Sequence, residues 1–130
     1  MIRLAAAVLI LAAPQPALAR DMVRVLKTRN HNVLLIDRDS VKSVEQDGAA
    51  LREAVLSLDN SASPDSANFY AADIKMRADC AGGRLAVVWA RTFAADGTPQ
   101  AAALAPRVHG LAEPREPLER AALGAICEAP

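Results

Sequence analysis

Two cysteines, Cys80 and Cys127, offer the most definite chemistry in this 130-residue chain. Oxidation would join their thiols in a disulfide, and two cysteines permit only one internal pairing. That bridge would close a loop of 48 residues, counting both ends. The chain-entropy model assigns such a loop about 4 kcal/mol of stabilisation, as an upper figure. The alternative is two free buried thiols, which are less common outside the cytosol.

A second group of reactive side chains is the acidic segment that contains Asp37, Asp39 and Ser40. Two carboxylates could hold a metal ion or act as an acid–base pair. No neighbouring residue completes either kind of site, whereas Asp and Ser side chains readily bind nearby backbone N–H groups. The pattern therefore favours a structural turn or a short 3₁₀ segment, and no catalysis is expected there.

The remaining residue types predict no active site. His31 and His109 have no companion at ligand spacing, so neither a metal nor a cofactor is expected. The chain has no Gly-rich phosphate loop, no Cys-x-x-Cys pair and no serine in a nucleophile-elbow pattern. We therefore expect a protein without enzymatic activity.

Binding is the other chemistry to consider. Trp89 could stack on a ligand, although a lone tryptophan in an alternating strand more often belongs to the core. Lys75, Arg77 and Arg91 could form a modest binding patch on a polar strand face. A simply solvated face is the alternative interpretation of the same residues.

The segment Met1–Ala19 has the composition of a secretory signal, with Arg3 before an apolar run and Ala17-Leu18-Ala19 at its end. Cleavage is expected between Ala19 and Arg20. The apolar run before Pro14 is about ten residues, too short for a bilayer span of roughly 20. No cysteine stands at the cleavage site, so we expect a periplasmic or secreted bacterial protein without a lipid or membrane anchor.

The expected mature chain, residues 20–130, has the size of one domain. Fourteen basic and fifteen acidic side chains give it a net charge of −1. Such a balance provides no basic field for nucleic acid or an anionic membrane. Aromatic residues are few and alanine is abundant, so the core should be modest and a covalent link correspondingly useful.

These residues must be positioned by strands, and residues 68–80 give the clearest strand pattern. Alternate residues from Tyr70 to Cys80 are mostly apolar, and those between them are charged. This period of two predicts a half-buried antiparallel strand with Cys80 pointing inward. Two earlier strands are predicted at Met22–Arg29 and Val33–Ile36, joined by a turn at residues 30–32.

Residues 50–58 are ambiguous. Their composition suits a helix, but Asp47-Gly48 between apolar runs is a strong hairpin signal, since a type I′ turn requires positive φ twice. The hairpin favours a strand for residues 50–58, paired with residues 41–45. A polar surface loop is then predicted for residues 59–67.

The C-terminal half completes the predicted fold. Residues 84–94 should form a strand with Leu85, Val87, Trp89 and Phe93 on one side, and residues 98–104 a weaker strand. Apolar spacing and a proline at the first position predict a helix at Pro117–Cys127. The expected fold is α+β: an antiparallel meander of about five to six strands, with one C-terminal helix packed on a face and carrying Cys127 to Cys80.

Four features, in this order, give the chain a resemblance to the bacterial surface-adhesin protein E family. They are residues 35–41 with Asp37-Arg38-Asp39-Ser40, the strand ending in Asp79-Cys80, residues 84–97 ending in Asp96-Gly97, and the helix ending in Ile126-Cys127. The resemblance spans nearly all of residues 20–130. It implies an antiparallel sheet joined to a C-terminal helix by a disulfide. Better-known members are lipid-anchored and bind host proteins, whereas this sequence lacks a lipidation cysteine.

The sequence thus predicts a binding or structural module with a protein partner of unknown identity. An exposed edge strand also leaves a homodimer open. The alternative function is an inhibitor or accessory protein of an envelope enzyme, which would need a protruding loop with an anchor side chain. A third function, a small hydrolase, would need His, Asp and Ser clustered in a cleft.

Overall fold

A computed structural model describes residues 21–100 and 110–129, which form one antiparallel sheet and one helix. The strands are β1 (Met22–Lys27), β2 (Val33–Asp37), β3 (Lys42–Gln46), β4 (Ala49–Asp59), β5 (Ala71–Asp79) and β6 (Arg84–Phe93). A 3₁₀ turn spans Arg38–Ser40, and helix α1 spans Pro117–Glu128. The α+β architecture predicted from the sequence is confirmed. The predicted signal segment with Ala19 and Arg20 lies outside the described residues, as does His109.

Strand β4 is the centre of the sheet. The strand order is β1-β2-β4-β5-β6, and β3 also pairs with β4. One edge of β4 is shared by two strands in tandem, since residues 56–59 pair with β2 and residues 49–53 pair with β3. Its other edge pairs with β5 along residues 52–59. The eleven residues of β4 therefore hold three other strands in register.

The strand assignment for residues 50–58 is confirmed, against their helix propensity. Asp47 and Gly48 have φ values of 51° and 79°, as a type I′ turn requires. The turn sets the β3–β4 register, and pairing on both edges then fixes β4 as extended backbone. Local propensity is overridden by tertiary pairing here.

The 3₁₀ turn lies where β2 ends and β3 begins. Asp37 precedes this turn, and the Asp37 carboxylate accepts a hydrogen bond from the Asp39 N–H at 3.1 Å. The Ser40 hydroxyl donates to the Asp37 carbonyl at 2.6 Å and accepts from the Val55 N–H at 2.8 Å. Val55 lies between the part of β4 that pairs with β2 and the part that pairs with β3, so on this edge its N–H has no strand partner. The Ser40 hydroxyl accepts that hydrogen bond instead. This contact explains what the Asp37-x-Asp39-Ser40 segment does in the fold.

Replacing Ser40 with alanine should lower the free energy of unfolding by about 1–2 kcal/mol, because the half-buried Val55 N–H loses its acceptor. Urea denaturation would measure the change. Ser43→Ala, which removes an exposed hydroxyl from β3, is the matched control and should stay within about 0.5 kcal/mol of the wild type. Equal losses in the two variants would contradict the role given to Ser40.

The core lies between one face of the sheet and α1. Cross-strand pairs such as Leu34 with Leu58 and Leu56 with Ile74 place their side chains on the same face. The helix contributes Ala122 and Ile126, both buried, and Ile126 is fully inaccessible. The buried sheet residues of this cluster are Leu34, Ile36, Ala54, Leu56, Leu58, Ala72, Met76, Ala78 and Leu85.

The prediction for one loop needs correction, and the weak strand predicted at residues 98–104 is described only in part. The segment at residues 59–67 is not wholly a surface loop, since Asn60 is 1% exposed and Ser63 is also buried. Asn60 donates from Nδ2 to the Phe69 carbonyl at 2.9 Å, which ties the two ends of the segment together. Of the strand predicted for residues 98–104, the described part shows only an isolated bridge between Pro99 and Phe93; residues 101–104 lie outside the description.

Candidate binding face

The predicted disulfide between Cys80 and Cys127 is confirmed. Cys80 follows the last residue of β5 and Cys127 lies in the last turn of α1, with a Cα–Cα distance of 5.7 Å. As predicted, Cys80 faces the side of the sheet on which α1 packs, where it meets Cys127, but it is exposed rather than buried in the core. Strand β5 ends at Asp79, so Cys80 lies beyond the paired residues that enclose Ala78 in the core. The disulfide therefore lies at the edge of the core rather than at its centre.

The turn after β5 positions Cys80. The Asp79 carboxylate accepts from the Gly82 N–H at 2.9 Å and from Arg84 Nη2 at 2.9 Å. The hydrogen bond from Gly82 has the largest effect, and together with that from Arg84 it holds the pKa of Asp79 below its ordinary value. A Cβ at Gly82 would collide with that carboxylate, so a larger residue there would displace the Asp79 side chain from its hydrogen bonds.

No described residues assemble a metal site. Within residues 21–100 and 110–129, no three His, Cys, Asp or Glu side chains come together in a way that could hold an ion. Asp37 and Asp39 are engaged at the 3₁₀ turn, and His31 lies in the β1–β2 turn with a φ of 64°. The histidine, rather than the asparagines beside it, takes the left-handed conformation.

A β-bulge in β6 changes which face carries Trp89. Met76 pairs with Val87, but the next residue back in β5, Lys75, pairs with Trp89, so Val88 is the extra residue. Leu85 and Val87 therefore face the helix, whereas Trp89 faces away from it. The prediction of a single apolar side from Leu85 to Phe93 is wrong beyond the bulge.

The side of the sheet away from α1 carries a cluster of charged residues around Trp89. We call it the open face, and its defining residues are Lys42, Glu53, Asp73, Lys75, Arg77, Trp89 and Arg91. Direct cross-strand pairing places them together: Lys42 with Glu53, Glu53 with Arg77, Lys75 with Trp89, and Asp73 with Arg91. No described helix covers this face, since α1 packs on the other.

Glu53 is the centre of the open face. Its carboxylate accepts from Arg77 Nε at 2.7 Å and lies 3.5 Å from Lys42 Nζ and 3.7 Å from Lys75 Nζ. The Glu53 side chain is 4% exposed, whereas the three cations keep between 31% and 62% of their surface in water. A nearly buried carboxylate is thus held by three half-exposed cations, which can still solvate their charge.

Burial disfavours the charged form of Glu53, but the Arg77 hydrogen bond and the charges of Lys75, Arg77 and Lys42 outweigh it. The pKa of Glu53 consequently lies below its ordinary value of 4.5. A depressed pKa means that the ionised carboxylate stabilises the folded state above about pH 4.5. That stabilisation is lost as the pH falls through the lower folded-state pKa.

We therefore expect the stability difference between the wild type and Glu53→Gln to shrink as the pH falls from about 6 to 3. At pH 6 the variant should be less stable by about 1–2 kcal/mol, because the partial exposure of the cations screens the interaction. Urea denaturation at several pH values would measure the difference. Curves that run parallel over the whole pH range would contradict the role given to the Glu53 carboxylate.

Trp89 and Arg91 form the second part of the open face. The Arg91 guanidinium lies 5.1 Å from the centre of the Trp89 ring, within cation–π distance. Trp89 is half-buried and Arg91 is exposed. The stacking holds a planar cation over an aromatic ring, and tryptophan and arginine are each enriched where proteins bind one another.

Sequence reasoning found four of the seven residues of this face and missed Lys42, Glu53 and Trp89. Alternation placed Asp73, Lys75 and Arg77 on a polar strand face, and Arg91 was grouped with the two cations as a possible binding patch. The pairing of β5 with β6 brings these residues together. Glu53 was missed because its strand could equally be a helix. Trp89 was missed because the bulge at Val88 carries no glycine or other signal in the sequence.

No helix in the described ranges is long and apolar enough to cross a membrane. Comparison with known proteins finds no family model, no curated protein and no solved structure that matches the chain.

Proposed function

We propose that the chain is an exported binding module without enzymatic activity, which engages a protein partner through the open face. The observation that carries this proposal is a sheet face that no described helix covers, with Trp89 and Arg91 stacked beside the Glu53 cluster, on a disulfide-linked domain. Likeness to the surface-adhesin protein E family is part of the proposal. The order of the Asp37–Ser40 turn, the cysteine-terminated strand and the cysteine-bearing helix supports it.

The proposed location is the bacterial periplasm or the extracellular medium, without a lipid anchor. Two features support export. The Met1–Ala19 segment has the pattern of a cleavable signal. Disulfides such as Cys80–Cys127 persist mainly in oxidising compartments.

Fractionation of a bacterium expressing the full chain tests export. The expected product is a fragment that begins at Arg20, recovered from the periplasm or medium, whose thiols react with maleimide only after reduction. Replacing the apolar run Leu4–Ala13 with polar residues should retain the chain in the cytosol. Wild-type protein that stays cytosolic and carries two free thiols would overturn the proposal.

Binding assays on matrix proteins, beside a pull-down from periplasmic extract, test the partner. The family resemblance leads us to expect binding to at least one matrix protein, reduced in a variant with Trp89→Ala. If the protein bound no matrix protein, adhesion would be excluded as its function. Specific capture of one envelope enzyme would instead favour an inhibitor or accessory role.

A further inference from the structure

We propose that the open face binds an extended acidic polypeptide segment, an inference that rests on the proposed function and specifies the partner's chemistry. The first argument is charge. Strand register places seven cations and five carboxylates on this side of the sheet, which leaves two net positive charges. The cations are Arg24, Lys27, Lys42, Lys75, Arg77, Arg84 and Arg91, and the carboxylates are Asp37, Glu53, Asp59, Asp73 and Asp79. The whole chain has a net charge of zero, so the positive charge is local to the face.

The second argument is preorganisation. Arg77 is held by two hydrogen bonds, from Nε to Glu53 at 2.7 Å and from Nη1 to Gln46 at 3.0 Å. Arg91 is held by its stacking on Trp89. Side chains that are already ordered lose less conformational entropy when a partner binds, so these cations are better suited to binding than mobile surface lysines.

The third argument is spacing. Lys75 and Arg77 are alternate residues of β5, so their side chains emerge about 7 Å apart. Alternate side chains of an extended peptide repeat at that same interval. A segment with carboxylates at every second position could therefore meet both cations. Trp89, directly opposite Lys75, would lie within reach of an apolar side chain of the same segment.

Other polyanions fit less well. Nucleic acids and anionic membranes are attracted by extended basic fields, which a chain of zero net charge with two local positive charges does not generate. A second copy of this chain also fits poorly. Two copies related by two-fold symmetry would place the same basic face against itself, and like charges would repel.

The test uses purified, oxidised protein and a ten-residue peptide of alternating glutamate and valine. Trp89 is the only tryptophan in the chain, so its fluorescence reports on this face alone. We expect saturable binding that weakens as salt is raised from 50 to 300 mM, and at least tenfold weaker binding of the peptide with glutamine in place of glutamate.

The double variant Lys75→Gln/Arg91→Gln should bind the glutamate peptide about tenfold more weakly. Arg115→Gln/Arg120→Gln is the matched control, since it removes two exposed arginines from the helix side and changes the net charge equally. It should bind within twofold of the wild type. Circular dichroism would establish that both variants are folded.

Equal binding by the two double variants, or equal binding of the glutamate and glutamine peptides, would overturn the proposal. So would no peptide binding, with saturation instead by heparin or by vesicles containing 30% anionic lipid. A dimer by light scattering that dissociates in the open-face variant would assign the face to a second copy. The peptide titration uses purified protein, so a negative result would count against this inference without bearing on the proposed export.

Discussion

Replacing Cys127 with serine should lower the free energy of unfolding by about 4 kcal/mol, the largest single effect we expect in this protein. The cysteines are 47 positions apart, and without the bridge the unfolded chain regains the entropy of an open loop. For a domain of this size, each kcal/mol shifts the melting temperature by about 4–8 °C. Thermal and urea unfolding of oxidised protein would measure the loss.

The controls separate the covalent bond from the cysteine side chain. Cys80→Ser and the double serine variant should match Cys127→Ser, and wild-type protein in reductant should match all three. Because Cys80 is exposed, a mild reductant should reach the bridge in the folded protein. An unchanged melting curve in Cys127→Ser under oxidising conditions would contradict the expected contribution.

The second large effect is expected at Ile126, which joins the helix to the sheet. Its side chain is fully inaccessible and belongs to the same cluster as Leu34 and Leu56. Ile126→Ala should cost about 2–5 kcal/mol, from lost burial and from the cavity left behind. Ile126→Val should cost only about 0.5–1.5 kcal/mol. Urea denaturation of both variants would give this graded series.

Leu123→Ala provides the comparison on the same helix. Leu123 packs against the cluster but is only partly buried, so its truncation should cost clearly less than that of Ile126. The disulfide should remain closed in all three variants, which thiol titration would check. A smaller loss of unfolding free energy in Ile126→Ala than in Leu123→Ala would show that other residues of the helix make its main contacts with the sheet.

The features that the sequence predicted are those that short-range chemistry determines. Asp47-Gly48 demands a tight hairpin turn, and the strand that follows must run back beside β3. Two cysteines in one chain can form only one internal pair. The spacing of apolar residues from Pro117 onward indicates a helix whatever it packs against. Each of these inferences needs only a few consecutive residues.

The features that the sequence did not predict depend on neighbours far along the chain. The bulge at Val88 arises from the pairing of β5 with β6, and it alone places Trp89 on the open face. Glu53 is buried because Lys42, Lys75 and Arg77 converge on it from two other strands. Asn60 is buried because its amide meets the Phe69 carbonyl across a loop. No local window of residues contains these contacts.

The sequence separation between the two bridged cysteines also determines when their disulfide can form during synthesis of the chain. A chain emerging from its N-terminal end exposes the thiol of Cys80 while the 47 residues up to Cys127 are still to follow. The thiol stays open to mixed-disulfide formation throughout that interval, although every residue of the β3–β4 hairpin has by then been synthesised. A nascent chain halted before residue 127 should accordingly be labelled by a maleimide at Cys80, and a chain released after it should not.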